Sequence, residues 1–556
     1  MMFQIPAYVT LVGIITFTFG KETSTPVSLV TNGLTAKLDN GLIEVSFRRS
    51  GVISSLIKNG NNLVANTEVS GYFDWNSRRN HRFSPSRLDV ITKSPQHVHI
   101  MYSQDVRGFL KLEYHIIMEQ GISGIYTYVK ATNKNKKPSK LKEMRLIYVF
   151  NPKIMYQISN GVQEGTPPTE KELRKLPMIW DATWKLPNGT VYSKYDYAGY
   201  VRNTSYHGAF GNGFGAWVVS ASHEYYSGGP LKQDLLVHQG PLVANYMAGM
   251  HFGTPALNAP HGWTKVYGPW LVYFNEGSDD QVKLDAFRQA TVEQSLWPYK
   301  WMNDKEYPQK RATLQGKVTS SARSMVVISS SLKEDFDKQT LGYSYFTETD
   351  KTGFFELNKI SPGTYKLTAY PIEGYGIGCQ AEKVITIREG MNEASLELPV
   401  PTQVMWSIGE TNRRSDTYRY SNERRSYVLQ SLTPEDLEFE IGKSSILNDW
   451  YYAQTKKGNW NIKYYDTPDQ KNRKLRIGLA ATSFNVTLIV SVNGRQMKQC
   501  EYENDSAIYR CATQSGNFHS EAIAIPANQV VAGENVIQLT LRSGSVMYDS
   551  INFSIE

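Results

Sequence analysis

After its first twenty residues the sequence has no long hydrophobic run. A membrane-spanning helix needs roughly 18 or more apolar residues in succession, so the remainder is expected to be soluble, with no membrane partner. No helix-turn-helix, finger or RNP-type pattern is visible, which weighs against nucleic acid. No dense aspartate cluster of the calcium-loop type occurs, so structural calcium is not indicated. Internal repeats and low-complexity tracts are absent, and helix-period stretches are few. Cysteine is scarce: Cys379, Cys500 and Cys511 in 556 residues. The last two flank a polar stretch. In an oxidising compartment they could close a hairpin disulfide, the alternative being two unpaired thiols. Cys379 is then left over.

What is present points to a secreted β-protein. The N-terminus, MMFQIPAYVTLVGIITFTFG, is mostly apolar from Ile5 to Phe19 and fits a signal peptide over residues 1–20, without the usual positive start. N-glycosylation triplets begin at Asn188, Asn203, Asn485, Asn504 and Asn552. Aromatics make up 12% of the chain, with 35 tyrosines and 11 tryptophans, which favours strands and sugar-stacking surfaces. The net charge of +8 favours anionic ligands, nucleic acid and acidic polysaccharide alike. At this length two to four domains are expected.

Short alternating runs separated by Asp-Asn, Ser-Gly and Asn-Gly turns start at Leu34 and recur to Thr132. One helix is predicted from about Ser278 to Ser295, with Val282, Leu284, Phe287 and Val292 as its apolar residues. The composition changes near Lys305–Arg311 and again at Pro399–Pro401. The division is therefore a large antiparallel β-sandwich over 21–305, a small β-sandwich over 306–400 and a jelly roll over 401–556. The class is all-β and multidomain.

Between Tyr192 and Pro269 the chain gathers five of its ten histidines, together with glycines, tyrosines and lysines. Long core segments do not look like this; a groove that grips a polar polymer does. The fragments YSKYD, EYYSGGPLKQDL, NYMAGMHFGTP and GWTKVYGPW, with GYFDWN upstream, resemble the catalytic module of the rhamnogalacturonan lyases of polysaccharide lyase family 4. DKTGFFELNKISPGTYKLTAY resembles that family's fibronectin type III-like middle domain. MWSIGE, NDSAIYR and GENVIQLTLRSGSVMYDSI resemble its C-terminal jelly roll, a carbohydrate-binding-module-like domain.

The resemblance implies a galactose-mutarotase-like N-terminal sandwich. It also implies β-elimination at the rhamnose-galacturonate bond of rhamnogalacturonan I, the acidic backbone of pectin. The enzyme is expected to be secreted and monomeric, and to need no cofactor because side chains can move the protons. It maps the catalytic lysine and histidine onto Lys194 and His251, and substrate-binding residues onto Arg145 and Tyr246. A second family arginine, four positions after Arg145, is Val149 here. Lys194 would take the C5 proton, which requires a lowered pKa, and His251 would protonate the leaving oxygen. Lys232 either caps a loop or meets the uronate. Tyr226 is either a substrate platform or an ordinary sandwich aromatic.

Pattern alone makes Lys194 a solvated strand lysine and His251 a structural histidine; the ordered resemblance reverses that. Two alternatives stay open. One is a hydrolase or epimerase using a pair among Asp196, Glu224 and Asp234. The other is a pectin-binding protein impaired by Val149. The charge carries a prediction of its own. Catalytic efficiency on an anionic polymer should fall with rising ionic strength, mainly through KM; a flat profile would disconnect the basic balance from the substrate.

Overall fold

The computed structural model describes residues 25–64, 71–76, 80–105, 108–249, 251–374, 380–399, 403–424, 426–467 and 469–555. The expected leader at 1–20 and Cys379 lie outside them. Three β-units follow one another, so the all-β multidomain class holds.

In the first unit a nine-stranded sheet faces a five-stranded one. The larger sheet runs from Glu164–Gly165 at one edge, through Thr264–Glu276 at its centre, to Arg87–Lys93 at the other. The smaller sheet is ordered Val237–His238, Leu242–Ala248, Glu143–Val149, Gly71–Asn76, Asn80–Arg82. Strand alternation decides what each face carries. In Glu143–Val149, Met144, Leu146 and Tyr148 enter the core between the sheets. Arg145, Ile147 and Val149 point the other way. Phe73 and Trp75 on one neighbour, and Val243 and Met247 on the other, follow the same rule. The outward face thus carries Tyr72, Asp74, Arg145, Ile147, Ala244 and Tyr246.

The helix Asp279–Leu296 starts where its capping box predicts, with Ser278 Oγ accepting from Gln281 N. Its buried face differs from the expected one. Val282, Ala286, Ala290 and Glu293 are inside, whereas Leu284, Phe287 and Val292 are 49%, 54% and 47% exposed. The small alanines let the backbone approach Trp217 and Val219 of the large sheet. Glu293 is held there by the hydroxyls of Tyr126 (3.0 Å) and Tyr299 (2.5 Å).

The second unit pairs a three-stranded sheet with a four-stranded one between Ala312 and Glu397. The third is built on two very long strands, Arg473–Val492 and Gly533–Ile555, whose register shifts repeatedly so that they bend through the domain. Its core does not stop at the domain edge. Trp450, Ile508 and Tyr548 belong to one apolar cluster with Tyr195, Phe252, Ile147, Leu242, Ala244 and Tyr246 of the first unit.

The expected hairpin disulfide is not formed. Cys500, in the strand Arg495–Tyr502, sits beside Tyr502 opposite Leu488, whereas Cys511 follows a buried turn and lies near Tyr452. Of the glycosylation triplets, Asn552 is only 4% exposed, inside the last strand, where no glycan fits. Asn188, Asn203, Asn485 and Asn504 are exposed.

Glu224 joins the first two units. It accepts from Arg311 Nη1 at 2.7 Å and from Tyr345 OH at 2.6 Å, with both charged side chains buried. Arg311→Ala leaves that carboxylate buried without its counter-charge and should cost about 3–5 kcal/mol in urea unfolding, whereas Glu224→Leu/Arg311→Met should cost less. Equal losses would show that the pair itself is not what matters there.

Candidate functional site

Three adjacent strands contribute one residue each to a row. Asp74, Arg145 and Tyr246 are register partners across the small sheet, all on its outward face. Arg145 Nε and Nη2 donate to Asp74 Oδ1 (2.8 Å) and Oδ2 (3.1 Å), a forked, charge-assisted pair. Its Nη1 donates to Tyr246 OH at 3.2 Å and lies 2.9 Å from Glu143 Oε1. The Tyr72 ring lies 5.4 Å from the guanidinium.

Two connections bring further groups to this row. After the strand Val191–Ser193, Ser193 caps a single 3₁₀ turn, Lys194–Tyr197, through a reciprocal box with Asp196. The turn is fixed on its outer side by Lys194 N donating to Ala182 O. Lys194 Nζ stands 5.1 Å from the Tyr195 ring and, among the described residues, makes no hydrogen bond or ion pair. Its pKa is lowered by burial and by the Arg145 and Arg510 charges, against the pull of Asp181 and Glu143.

The second connection follows Leu242–Ala248 and carries His251. That imidazole is buried and sits edge-on to Tyr246 at 4.9 Å. Among the described residues its Nδ1 has no hydrogen-bond partner, and it faces Glu143 Oε2 at 3.7 Å. Burial first, then the Arg510, Lys194, Arg145 and Lys232 charges, holds its pKa well below the usual histidine range. Glu143 is raised by burial and by the Asp74 and Asp234 charges.

Residues 404–553 match domain III of polysaccharide lyase family 4, and residues 314–395 match its domain II. Over 547 residues, 95% of this chain and 94% of the relative, the sequence is 41% identical to the rhamnogalacturonate lyase of Dickeya dadantii. The chain belongs to polysaccharide lyase family 4. More distant is the "Probable rhamnogalacturonate lyase C" of Aspergillus oryzae, 29% identical over 66% of this chain and 64% of that one. A galactose mutarotase-like protein from Lactobacillus casei, 10% identical, overlaps 45% of this chain and all of its own at a TM-score of 0.26. At that score the likeness adds nothing to the sheet topology.

In this family 4 lyase, Lys194, His251, Arg145 and Tyr246 come together. Lys232 lies behind them: its buried ammonium donates to Thr254 Oγ1 at 3.1 Å and pairs with Asp234 at 3.1 Å, which ties down the loop bearing His251. Tyr226 is not in the site. It lies in the core between the sheets, its hydroxyl donating to Asn245 Oδ1 at 2.9 Å and its ring 4.2 Å from that of Tyr225.

The carboxylates a hydrolase would need are committed elsewhere. Glu224 is held by Arg311 and Asp234 by Lys232, while Asp196, raised to about 7 by burial, accepts from Ser193 N. Among the described residues, no group of three or more His, Cys, Asp or Glu could hold a metal ion. Sequence reasoning missed Asp74, Glu143, Asp181 and Arg510. Glu143 was within reach, two residues before Arg145 and so on the same strand face.

Asp181 is the strongest of the charges that keep the Lys194 pKa up. Asp181→Asn should therefore lower that pKa further and move the acid limb of kcat/KM to lower pH. An unmoved limb, or one displaced upward, would mean that Lys194 does not set it.

Proposed function

We propose that this family 4 lyase cleaves the rhamnose-galacturonate bond of rhamnogalacturonan I by β-elimination. The observation that carries the reading is an amine, Lys194, half-buried, with no ion pair among the described residues and with a lowered pKa, beside a forked arginine and a buried histidine.

A neutral Lys194 takes the uronate C5 proton. The C5–H electrons form the C4=C5 double bond, and the C4–O4 bond breaks with its electron pair leaving on oxygen. Negative charge builds on the uronate carboxylate as the proton departs, and a fixed cation beside it lowers the barrier. Arg145 is that cation. Its Nη1 is shared between Tyr246 and Glu143, and Glu143, raised in pKa, is the partner more readily displaced by a substrate carboxylate.

His251 then gives a proton to the leaving oxygen. In the free protein burial, and then the surrounding cations, keep it neutral. The bound uronate brings a negative charge which, with Glu143 at 3.7 Å, favours the imidazolium. The relative from Dickeya dadantii, named for rhamnogalacturonate, supports this choice of polymer. A polymer of that kind lies outside the cell, so we assign the enzyme to the extracellular space, with residues 1–20 as its leader.

The test is formation of the ultraviolet-absorbing unsaturated uronate from rhamnogalacturonan I, with homogalacturonan in parallel. Lys194→Ala should abolish it with circular dichroism unchanged. His251→Ala should lower kcat by about 10²–10⁴-fold with little change in KM. Turnover retained in Lys194→Ala, or preference for homogalacturonan, would contradict the reading.

A further inference from the structure

The C-terminal domain does more than lie beside the catalytic sandwich. Its segment 503–518 wraps the loop that carries His251 and the turn that carries Lys194. Gly253, two residues after His251, donates its N–H to Asp505 O at 3.0 Å. It has φ +91°, and a Cβ there would meet the backbone of Gly516 at 2.7 Å, so the two chains touch main chain to main chain. Ser515 accepts through its Oγ (2.7 Å) and its carbonyl (2.5 Å) from Gln233 Nε2, and its Oγ lies 2.7 Å from Tyr200 OH. Trp180 Nε1 donates to Tyr509 O at 3.0 Å.

From the middle of this dock Arg510 reaches inward. Its Nε donates to Tyr195 OH at 3.1 Å and, at 3.4 Å, to Asp181 Oδ2, which also accepts from Tyr195 OH at 2.9 Å. Its Nη1 donates to His251 O at 3.4 Å. The guanidinium carbon lies 5.6 Å from the Tyr195 ring, the ring that Lys194 Nζ approaches at 5.1 Å and the His251 ring at 6.1 Å.

We propose that Arg510, supplied by the C-terminal domain, is a positioning residue of the catalytic centre, fixing the Tyr195 turn against the His251 loop. This rests on the elimination reading, in which Lys194 and His251 are the proton-transfer pair. The charges around them come from every side: Arg145 and Glu143 from the sheet, Asp181 from the preceding loop, Lys232 behind the His251 loop, His238 near Lys194, and Arg510 from the other domain. After burial, the Arg510 charge does most to hold His251 neutral, and it also lowers Lys194.

Losing one charge-assisted hydrogen-bonded group typically lowers a rate by about ten- to a hundredfold. In the full-length protein, Arg510→Gln should lower kcat by that factor while KM changes much less. Removing a positive charge raises the Lys194 pKa, so the acid limb of kcat/KM should move to higher pH. Arg510→Lys keeps the charge but not the fork. It should restore the pH limb while recovering only part of kcat, and it stands in if Arg510→Gln fails to fold.

A second readout needs no turnover. NMR titration of ¹³C-labelled histidine should show the His251 midpoint rising in Arg510→Gln. If the wild type forms no unsaturated product but this shift appears, the elimination reading fails while the positioning role stands. An unmoved His251 midpoint, or Arg510→Gln with wild-type kcat and acid limb, overturns the proposal.

Discussion

The site depends on one arrangement: a guanidinium held on a sheet face by a carboxylate from the next strand. Arg145 is largely buried, and an unpaired charge there would be prohibitively costly. The fork from Asp74 and the hydroxyl of Tyr246, both set by strand register, make it tolerable. Once fixed, that positive charge orders its surroundings. It draws Glu143 to the same face and disfavours protonation of Lys194 and His251. In a low-dielectric setting such effects are far stronger than in water, and burial is the largest influence on all three groups.

The same sheet face explains why a C-terminal domain is needed where it is. Beside Asp74 and Arg145 the face carries Ile147, Val149, Leu242 and Ala244, an apolar patch that packs with Tyr195 and Phe252 of its own unit and with the core of the third domain. The third domain buries that patch in its own core cluster and in doing so brings Arg510 to the catalytic loops. Val149, where the resemblance expected an arginine, belongs to this packed patch. A second guanidinium nevertheless stands at the centre, contributed by another domain.

Much of the fold was legible because alternation and turn chemistry are local. The all-β class, the capped helix at Ser278 and the inward and outward faces of the strands follow from periods of two and 3.6. Of the helix's large apolar residues only Val282 is buried, because close packing on the sheet selected Ala286 and Ala290 over Leu284, Phe287 and Val292. The cluster of Lys194, His251, Arg145 and Tyr246 was legible through ordered family motifs, not through spacing. Tyr226 misled because a tyrosine hydroxyl satisfied by a buried asparagine looks, in sequence, like a surface platform. Arg510 closes the fragment NDSAIYR, but its contact was beyond reach: 259 residues separate it from His251, and no local pattern encodes a contact between domains.

The central claim is that Lys194 is poised as a neutral base by burial among fixed cations. The most direct measurement is the titration of its side chain in the intact protein, by NMR of ¹³Cε-labelled lysine with Lys194→Arg to assign the signal. The account predicts a midpoint clearly below the ordinary lysine value of 10.5, as burial and the neighbouring arginines require. A midpoint at or above that value would show a conventional ammonium at the centre and contradict the account.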